Sequence, residues 1–437
     1  MEWPLALLII LGSLLVLMAM GMPISFCFMA VSIIGSFLFL GGIRGLEFLI
    51  DSIFTSVGSF IFVPVPLFIL MGTVIFESGV GLLMVEALDK WMGKVPARLS
   101  ILAVGAGAVL AAMIGISTAS VGILGKALLP EMEKRGYDKS MSLGPILGSS
   151  QLAPLVPPSA LAVFLGAIGG ISISKLLVGI IIPGLLMAVL FAVYIVIRCR
   201  LQPDLAPSYD VTPMPLKEKL IFTARYLLPA GLIIFAVLGV IVFGFATPEE
   251  SGALGSLACF LVAALYGRLS WQVVKRSVVN AMELSVMVFM IIAAAVCFSR
   301  LLSFTGAIVG VVNLAVALPV PPAVIFIFMQ VIVVWMGMFV GPNSIIMITL
   351  PVFMPIVNVL GFNPVWFGVI MVINTQLALL TPPFGPDCYV MKAMAPKHVT
   401  LADVFISCMP FLLIGYLTIV IVSLFPSLAL WLPNMMR

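Results

Sequence analysis

Apolar stretches about as long as a bilayer is thick follow one another along this sequence. They cover approximately residues 4–20, 24–42, 61–84, 99–114, 142–168, 176–198, 226–245, 251–267, 281–302, 306–340, 343–360, 364–392 and 403–432. A helix of about 20 residues, rising about 1.5 Å each, spans the roughly 30 Å hydrocarbon layer. One water-surrounded core could not hide so many such stretches. Of 437 residues, 63% are hydrophobic and only 9% charged, where a soluble domain carries about 25% charged residues. The sequence therefore predicts an all-α polytopic membrane protein, with the longest stretches holding more than one element.

Several functions are excluded by what the residues lack. A net charge of +4 gives no basic surface of the kind nucleic acid requires. Cys27, Cys199, Cys259, Cys297, Cys388 and Cys408 are scattered without CxxC spacing, and His398 is the only histidine. They suit neither a disulfide framework nor a zinc site, and a buried helical cysteine is ordinarily a small hydrophobe. No nucleophile–base pair or phosphate-binding glycine loop is present, so neither an enzyme nor a cofactor is expected. Trp3 to Met20 has no basic leader region, and a second apolar run follows after Gly21-Met22-Pro23. It reads as a retained helix.

The one long polar connection divides the chain into a first membrane part (1–200), a linker (201–224) and a second membrane part (225–437). Arg198, Arg200, Lys217, Lys219 and Arg225 lie at or near its ends, which predicts a cytoplasmic linker. Nothing before Arg44 is basic and Glu2 is acidic, which favours an outside N-terminus.

The two parts repeat one another. Gln151-Leu152-Ala153-Pro154-Leu155-Val156-Pro157-Pro158 recurs as Gln376-Leu377-Ala378-Leu379-Leu380-Thr381-Pro382-Pro383. Pro130 and Gly136 have counterparts in Pro355 and Gly361, and Gly115-Ile116-Ser117-Thr118 has one in Gly341-Pro342-Asn343-Ser344. Each part also has a weakly amphipathic stretch, 43–57 and 269–282, predicted to lie along the membrane interface.

Repeated halves with interrupted apolar segments are an architecture of secondary transporters. A Pro-Pro pair removes two N–H donors and bars a regular helix just before it. Unpaired backbone costs several kcal/mol in hydrocarbon, so it survives only inside protein or beside a water-filled cavity. The freed carbonyls can coordinate a desolvated cation such as Na⁺. Gly115 with Ser117, Thr118 and Ser120, and Gly341 with Asn343 and Ser344, read as tips of re-entrant hairpins. Prolines also kink ordinary membrane helices, but the same break recurs here in matching context. Gln151 and Gln376, beside those breaks, either link helices or touch substrate. Asp387, four residues past the second Pro-Pro, is the foremost intramembrane charge for a site role, with Lys392 near enough in sequence to neutralise it. Glu77, Lys126, Glu283 and Arg300 read as edge or packing charges.

The run Pro130-Glu131-Met132-Glu133-Lys134-Arg135-Gly136-Tyr137-Asp138-Lys139, followed by Pro157-Pro158-Ser159, resembles the signature of the large membrane subunit of TRAP (tripartite ATP-independent periplasmic) transporters. The second half agrees in Gly337-Met338-Phe339, Pro351 to Pro355, Phe367-Gly368-Val369-Ile370-Met371 and Thr381-Pro382-Pro383 with Gly385. The resemblance covers essentially the whole chain. It implies two inverted structural repeats, each with a re-entrant helical hairpin and a broken helix, in an elevator-type transport fold of a bacterial or archaeal inner membrane. It also implies sodium-driven uptake of carboxylates and related organic acids, a small four-helix membrane subunit and a periplasmic substrate-binding protein as partners. Na⁺ would be the coupling ion.

Carried over by motif, one sodium site would use Ile114, Ile116, Ala153, Val156 and Pro158, largely through backbone oxygens, and the other Thr375, Ala378 and Thr381. Candidate substrate contacts are Ser117, Thr118, Gln151, Asn343, Ser344, Gln376 and Asp387. The chain departs from the family pattern at several of these places. Ile114-Gly115-Ile116-Ser117 replaces the usual Ser-Gly-Ser-Ser, which leaves carbonyl but not hydroxyl ligands at 114 and 116. Ser150-Gln151-Leu152-Ala153 replaces Gly-Thr-Leu-Gly, Ala378 a Gly, Gly341 a frequent Asp, and Asp387 an Asn. An acidic Asp387 favours a zwitterionic or cationic substrate. A stand-alone ion-coupled organic-anion carrier of related fold remains the alternative, ahead of a channel or a membrane-embedded enzyme.

Overall fold

Every regular element among the described residues is a helix. The computed structural model describes residues 3–93, 95–207 and 215–436; Glu2 and linker residues 208–214 lie outside them. Six of the helical stretches described are long and apolar enough to cross a membrane, among them Ile173–Leu201, Leu216–Val242 and Leu401–Leu424. The protein is thus an all-helical, multi-span membrane protein.

The repeat seen in the sequence is a repeat of helix punctuation. Gly79 (φ 69°) and Gly306 (φ 72°) end the helices Pro64–Ser78 and Trp271–Phe304 in the left-handed region, and a shorter helix follows each, Val80–Asp89 and Ala307–Ala317. Asp138 and Asn363 cap the helices Lys139–Ser150 and Pro364–Leu377 by accepting from backbone N–H groups, Asp138 from Ser140 at 2.8 Å and Asn363 from Val365 at 2.9 Å. Such caps satisfy donors that a helix start leaves free. Thr400 with Asp403 forms a reciprocal capping box on Leu401–Leu424.

Two expectations need correction. Residues 43–57 do form a separate amphipathic helix, Ile43–Val57, but 269–282 do not. They run without interruption into the 34-residue helix Trp271–Phe304. The reason is local: Gly58, Pro64 and Pro66 break the backbone in the first half, and no glycine or proline lies between Trp271 and Phe304. The linker is also shorter than its composition suggests. Helical backbone resumes at Leu216 and continues through Thr223–Leu227 into Leu228–Val242, with Lys217 and Glu218 of its first turn exposed.

Packing separates an outer group of helices from an inner one. Pro64–Ser78 lies between Pro248–Leu265 and Trp271–Phe304, and Ile24–Phe39 packs on the latter. Ser256 Oγ donates to the Leu67 carbonyl at 2.8 Å and Thr73 Oγ1 to that of Ser277 at 3.0 Å, tying these helices together. The inner group contains the interrupted helices and Leu401–Leu424, which packs along Lys139–Ser150. Gly144 and Gly148 make that contact possible: a Cβ at either would run into Phe411.

Candidate functional site

Helices Arg98–Ile114 and Ser117–Lys134 pack against one another as a hairpin whose tip is Gly115-Ile116. Gly115 takes φ 62°, and a Cβ there would sit 3.3 Å from the Pro158 carbonyl oxygen. The tip thus rests on the first break, and glycine answers both demands. A second hairpin, Pro322–Gly337 and Pro342–Val359, turns through Met338 to Gly341. Its tip meets the second break in the same way: a Cβ at Gly337 would lie 3.0 Å from Ala378, and one at Gly341 would lie 3.7 Å from Phe384.

Beyond each break the chain crosses to the other half. Ala160–Gly169 packs against Pro342–Val359 of the second hairpin, and Pro386–Met394 packs against Ser117–Lys134 of the first. The two repeats are therefore interlocked at the breaks.

The breaks themselves are short turns. Leu152, Ala153 and Leu155 N–H groups donate three residues back, as do those of Leu379, Leu380 and Thr381. Both Pro157-Pro158 and Pro382-Pro383 are cis peptide bonds. Because proline lacks an N–H, carbonyls upstream lose their helical donors. Among the described residues, the carbonyls of Ile114, Ala153, Val156, Pro158 and Thr375 accept no hydrogen bond. Those of Ile116 and Ala378 each accept one, from Ser120 and Thr381, leaving a lone pair apiece. Thr381 Oγ1 donates to Leu377 O at 2.9 Å and lies 3.5 Å from the Tyr416 hydroxyl. Each of these oxygens is a hard ligand with at least one lone pair left free, so the expected ligand set fits an alkali cation chemically.

The structure brings Ser117 and Gln151 of the first half to the Asp387 carboxylate of the second. Asp387, fully buried, lies in the first turn of Pro386–Met394. Its Oδ1 is 3.3 Å from Ser117 Oγ, and its Oδ2 is 3.4 Å from Ser150 Oγ and 3.0 Å from Gln151 Nε2. Lys392 does not neutralise it: five residues along a helix is more than a full turn, and Lys392 Nζ instead donates to Val399 O at 2.5 Å. Gln376 is buried like Gln151, yet its Nε2 has no partner among the described residues. Asn343 and Ser344 open the second arm of the second hairpin, and no side-chain bond is formed by either among the described residues.

Thr118 faces elsewhere. With Gly72, Thr73, Ile114, Asn280 and Glu283 it lines a cavity of about 410 Å³ between the first hairpin tip and the helices Pro64–Ser78 and Trp271–Phe304. The hairpin is held close there, since a Cβ at Gly72 would collide with the Ile114 carbonyl. Glu77 accepts from Asn280 at 2.9 Å and Arg300 donates to Ser52 at 2.7 Å, both packing roles as expected. Glu283 is exposed into the cavity, while Lys126 is exposed with no ion pair among the described residues.

Two hairpin tips thus rest on two interrupted helices, and known proteins share both this sequence pattern and this fold. Residues 11–428 match the DctM component of tripartite ATP-independent periplasmic transporters. The chain belongs to this family. It is a transporter permease and not an enzyme. This DctM component is 28% identical over 371 residues to the C4-dicarboxylate TRAP transporter large permease protein DctM of Pseudomonas aeruginosa, covering 85% of each chain. It is 28% identical over 438 residues to the ectoine TRAP transporter large permease protein TeaC of Halomonas elongata, covering 98% of this chain and 99% of that one. Its fold is similar to that of the Alcanivorax borkumensis YdaH transporter, with a TM-score of 0.65 at 14% identity over 94% of this chain and 97% of that one.

Some contributors to the centre of this DctM component carry no signal in the sequence. Gln330, on the first arm of the second hairpin, accepts from Asn374 Nδ2 through Oε1 at 2.9 Å and through its carbonyl at 3.2 Å. Tyr416 reaches Thr381 from a neighbouring helix. Ser150 stands immediately before Gln151, and only its place at the end of a broken arm could have drawn attention to it.

Proposed function

We propose that this DctM component is the transmembrane permease of a sodium-coupled, binding-protein-dependent secondary transporter that imports a small organic acid. Its two halves are inverted repeats. The hairpins and broken helices form a transport body that slides as an elevator against the outer helices. A small four-helix membrane subunit and a periplasmic substrate-binding protein complete the system in the bacterial or archaeal inner membrane.

The observation that carries this reading is the pairing of each hairpin tip with a break that leaves backbone carbonyls without donors. Na⁺ bound between tip and break holds the hairpin on the broken helix, so coupling follows from geometry: a substrate seated at the tips meets a closed site only when the ions are in place. The cavity beside Thr118 adjoins the outer helices, where a sliding body must part from its scaffold. Relatives named for C4-dicarboxylate and for ectoine support a small carboxylate-bearing solute. Ectoine also carries positive charge, in keeping with an acidic side chain near the centre.

The test is uptake in liposomes containing this chain, the small subunit and the binding protein loaded with its ligand. Saturable uptake that needs an inward Na⁺ gradient and all three proteins is expected. Uptake by this chain alone would instead identify a stand-alone carrier, and uptake indifferent to Na⁺ would sink the coupling.

A further inference from the structure

We propose that Asp387, Ser117 and Ser150 form a site for one monovalent cation, distinct from the carbonyl-lined breaks, with Gln151 as its supporting amide. The inference stands on the side-chain geometry, and rests on the transport reading only in that the ion would travel with the transport body.

All four residues are almost wholly removed from solvent: Asp387, Ser150 and Gln151 are 0% exposed and Ser117 is 5% exposed. No cationic side chain pairs with Asp387 among the described residues. A buried carboxylate without a counter-charge is costly, the more so at membrane depth. Its hydrogen bonding does not offset this. An ionised carboxylate presents about four acceptor sites, and only the Gln151 amide, at 3.0 Å, donates at ordinary length.

The two hydroxyls are too far away to be good donors. A charge-assisted O–H···O⁻ bond is about 2.5–2.7 Å long, whereas Ser117 Oγ and Ser150 Oγ stand 3.3 Å and 3.4 Å from the carboxylate oxygens. Ser150 has a single hydroxyl hydrogen, and the Leu147 carbonyl at 2.7 Å takes it. Ser150 therefore turns a lone pair toward Asp387, and the Gln151 amide, whose Nε2 is 3.0 Å from both Ser150 Oγ and Asp387 Oδ2, is the one donor shared by the two oxygens, leaving room for a positive charge between Ser150 and the carboxylate.

The spacing suits a cation. Ions of about the size of Ca²⁺, Na⁺ among them, hold oxygens at about 2.3–2.6 Å, so ligands at right angles stand roughly 3.3–3.7 Å apart. Both oxygen pairs fall in that range. Gln151 Oε1 is buried and lacks a partner. One carboxylate balances one positive charge, and no group of three His, Cys, Asp or Glu side chains exists among the described residues. Both facts favour a monovalent ion over a divalent one.

The experiment is equilibrium binding of radioactive sodium to the purified chain, read as ions per chain at saturation, for the parent protein, Asp387→Asn and Ser117→Ala. Folding of each is verified by a single symmetrical elution profile. The site predicts that Asp387→Asn binds one Na⁺ fewer than the parent, and that Ser117→Ala keeps the count but fills one site at higher sodium. Equal counts in the parent and Asp387→Asn would overturn the proposal while leaving the carbonyl sites standing. One ion in the parent and none in Asp387→Asn would support it and remove the carbonyl sites. No bound sodium in either protein would overturn both. If Asp387→Asn fails to fold, an unchanged half-saturation in Ser117→Ala counts against the site.

Discussion

Gln151 Nε2 donates to the Asp387 carboxylate at 3.0 Å, although the two residues are 236 positions apart and belong to opposite halves. The bond joins the end of one broken helix to the start of the far arm of the other. A hydrogen bond to a charged group contributes about 1.5–3 kcal/mol, and losing it inside the protein strands its partner. Gln151→Leu, which keeps the bulk and removes the donor, is expected to destabilise the protein by an amount of that order, read as a lower thermal midpoint. The decrease should shrink when Asp387→Asn is present as well, because the two residues act as a unit. Additive effects in the double variant would contradict the link.

Gly72 is expected to be intolerant of any side chain. A Cβ there would meet the Ile114 carbonyl, which is backbone and cannot swing aside. Overpacking of this kind costs about 1–3 kcal/mol, and here it also displaces the hairpin tip. Gly72→Ala should lower both stability and Na⁺-driven uptake. Gly105, in the first arm of the same hairpin, has nothing within 4 Å of an added Cβ, so Gly105→Ala should stabilise by about 0.5–1 kcal/mol. Parallel measurement of thermal midpoints and uptake separates the two glycines.

The cavity beside the first hairpin tip should govern substrate rather than ion binding. Glu283 and Thr118 both line it, and neither side chain forms a hydrogen bond among the described residues. Glu283→Gln is a surface change and should leave stability within about 0.5 kcal/mol, while altering the KM for uptake. An unchanged KM in both Glu283→Gln and Thr118→Val would place the substrate elsewhere.

What the sequence disclosed was the interruption of helices, and what it concealed was their partners. Proline pairs and glycines act on their own backbone, so Pro157-Pro158, Pro382-Pro383, Gly136 and Gly361 announce breaks wherever they stand. The contact of Ser117 with Asp387, or of Tyr416 with Thr381, depends on how distant helices pack, and no local pattern records it. Residues 269–282 show a related limit. Their amphipathic character says which face meets lipid or protein, but only a glycine or proline says where the helix stops, and none is present before Phe304. Lys392 shows another: nearness in sequence suggested a counter-ion for Asp387, and helical rotation carried it to Val399 instead.

Thr381 offers the most direct test of ion binding at the second break. Its hydroxyl donates to Leu377 O at 2.9 Å, which leaves its lone pairs available. Na⁺ at about ten times its dissociation constant stabilises the bound protein by about 1.4 kcal/mol through mass action. The parent should therefore show a higher thermal midpoint in NaCl than in KCl or choline chloride of equal ionic strength. Thr381→Ser keeps the oxygen and should keep most of that difference. Thr381→Val keeps the shape without the oxygen, and should lose the share of the shift that comes from this site. If Thr381→Val retained the full Na⁺-specific shift, the threonine oxygen would not be a ligand and the second break would have to bind through carbonyls alone.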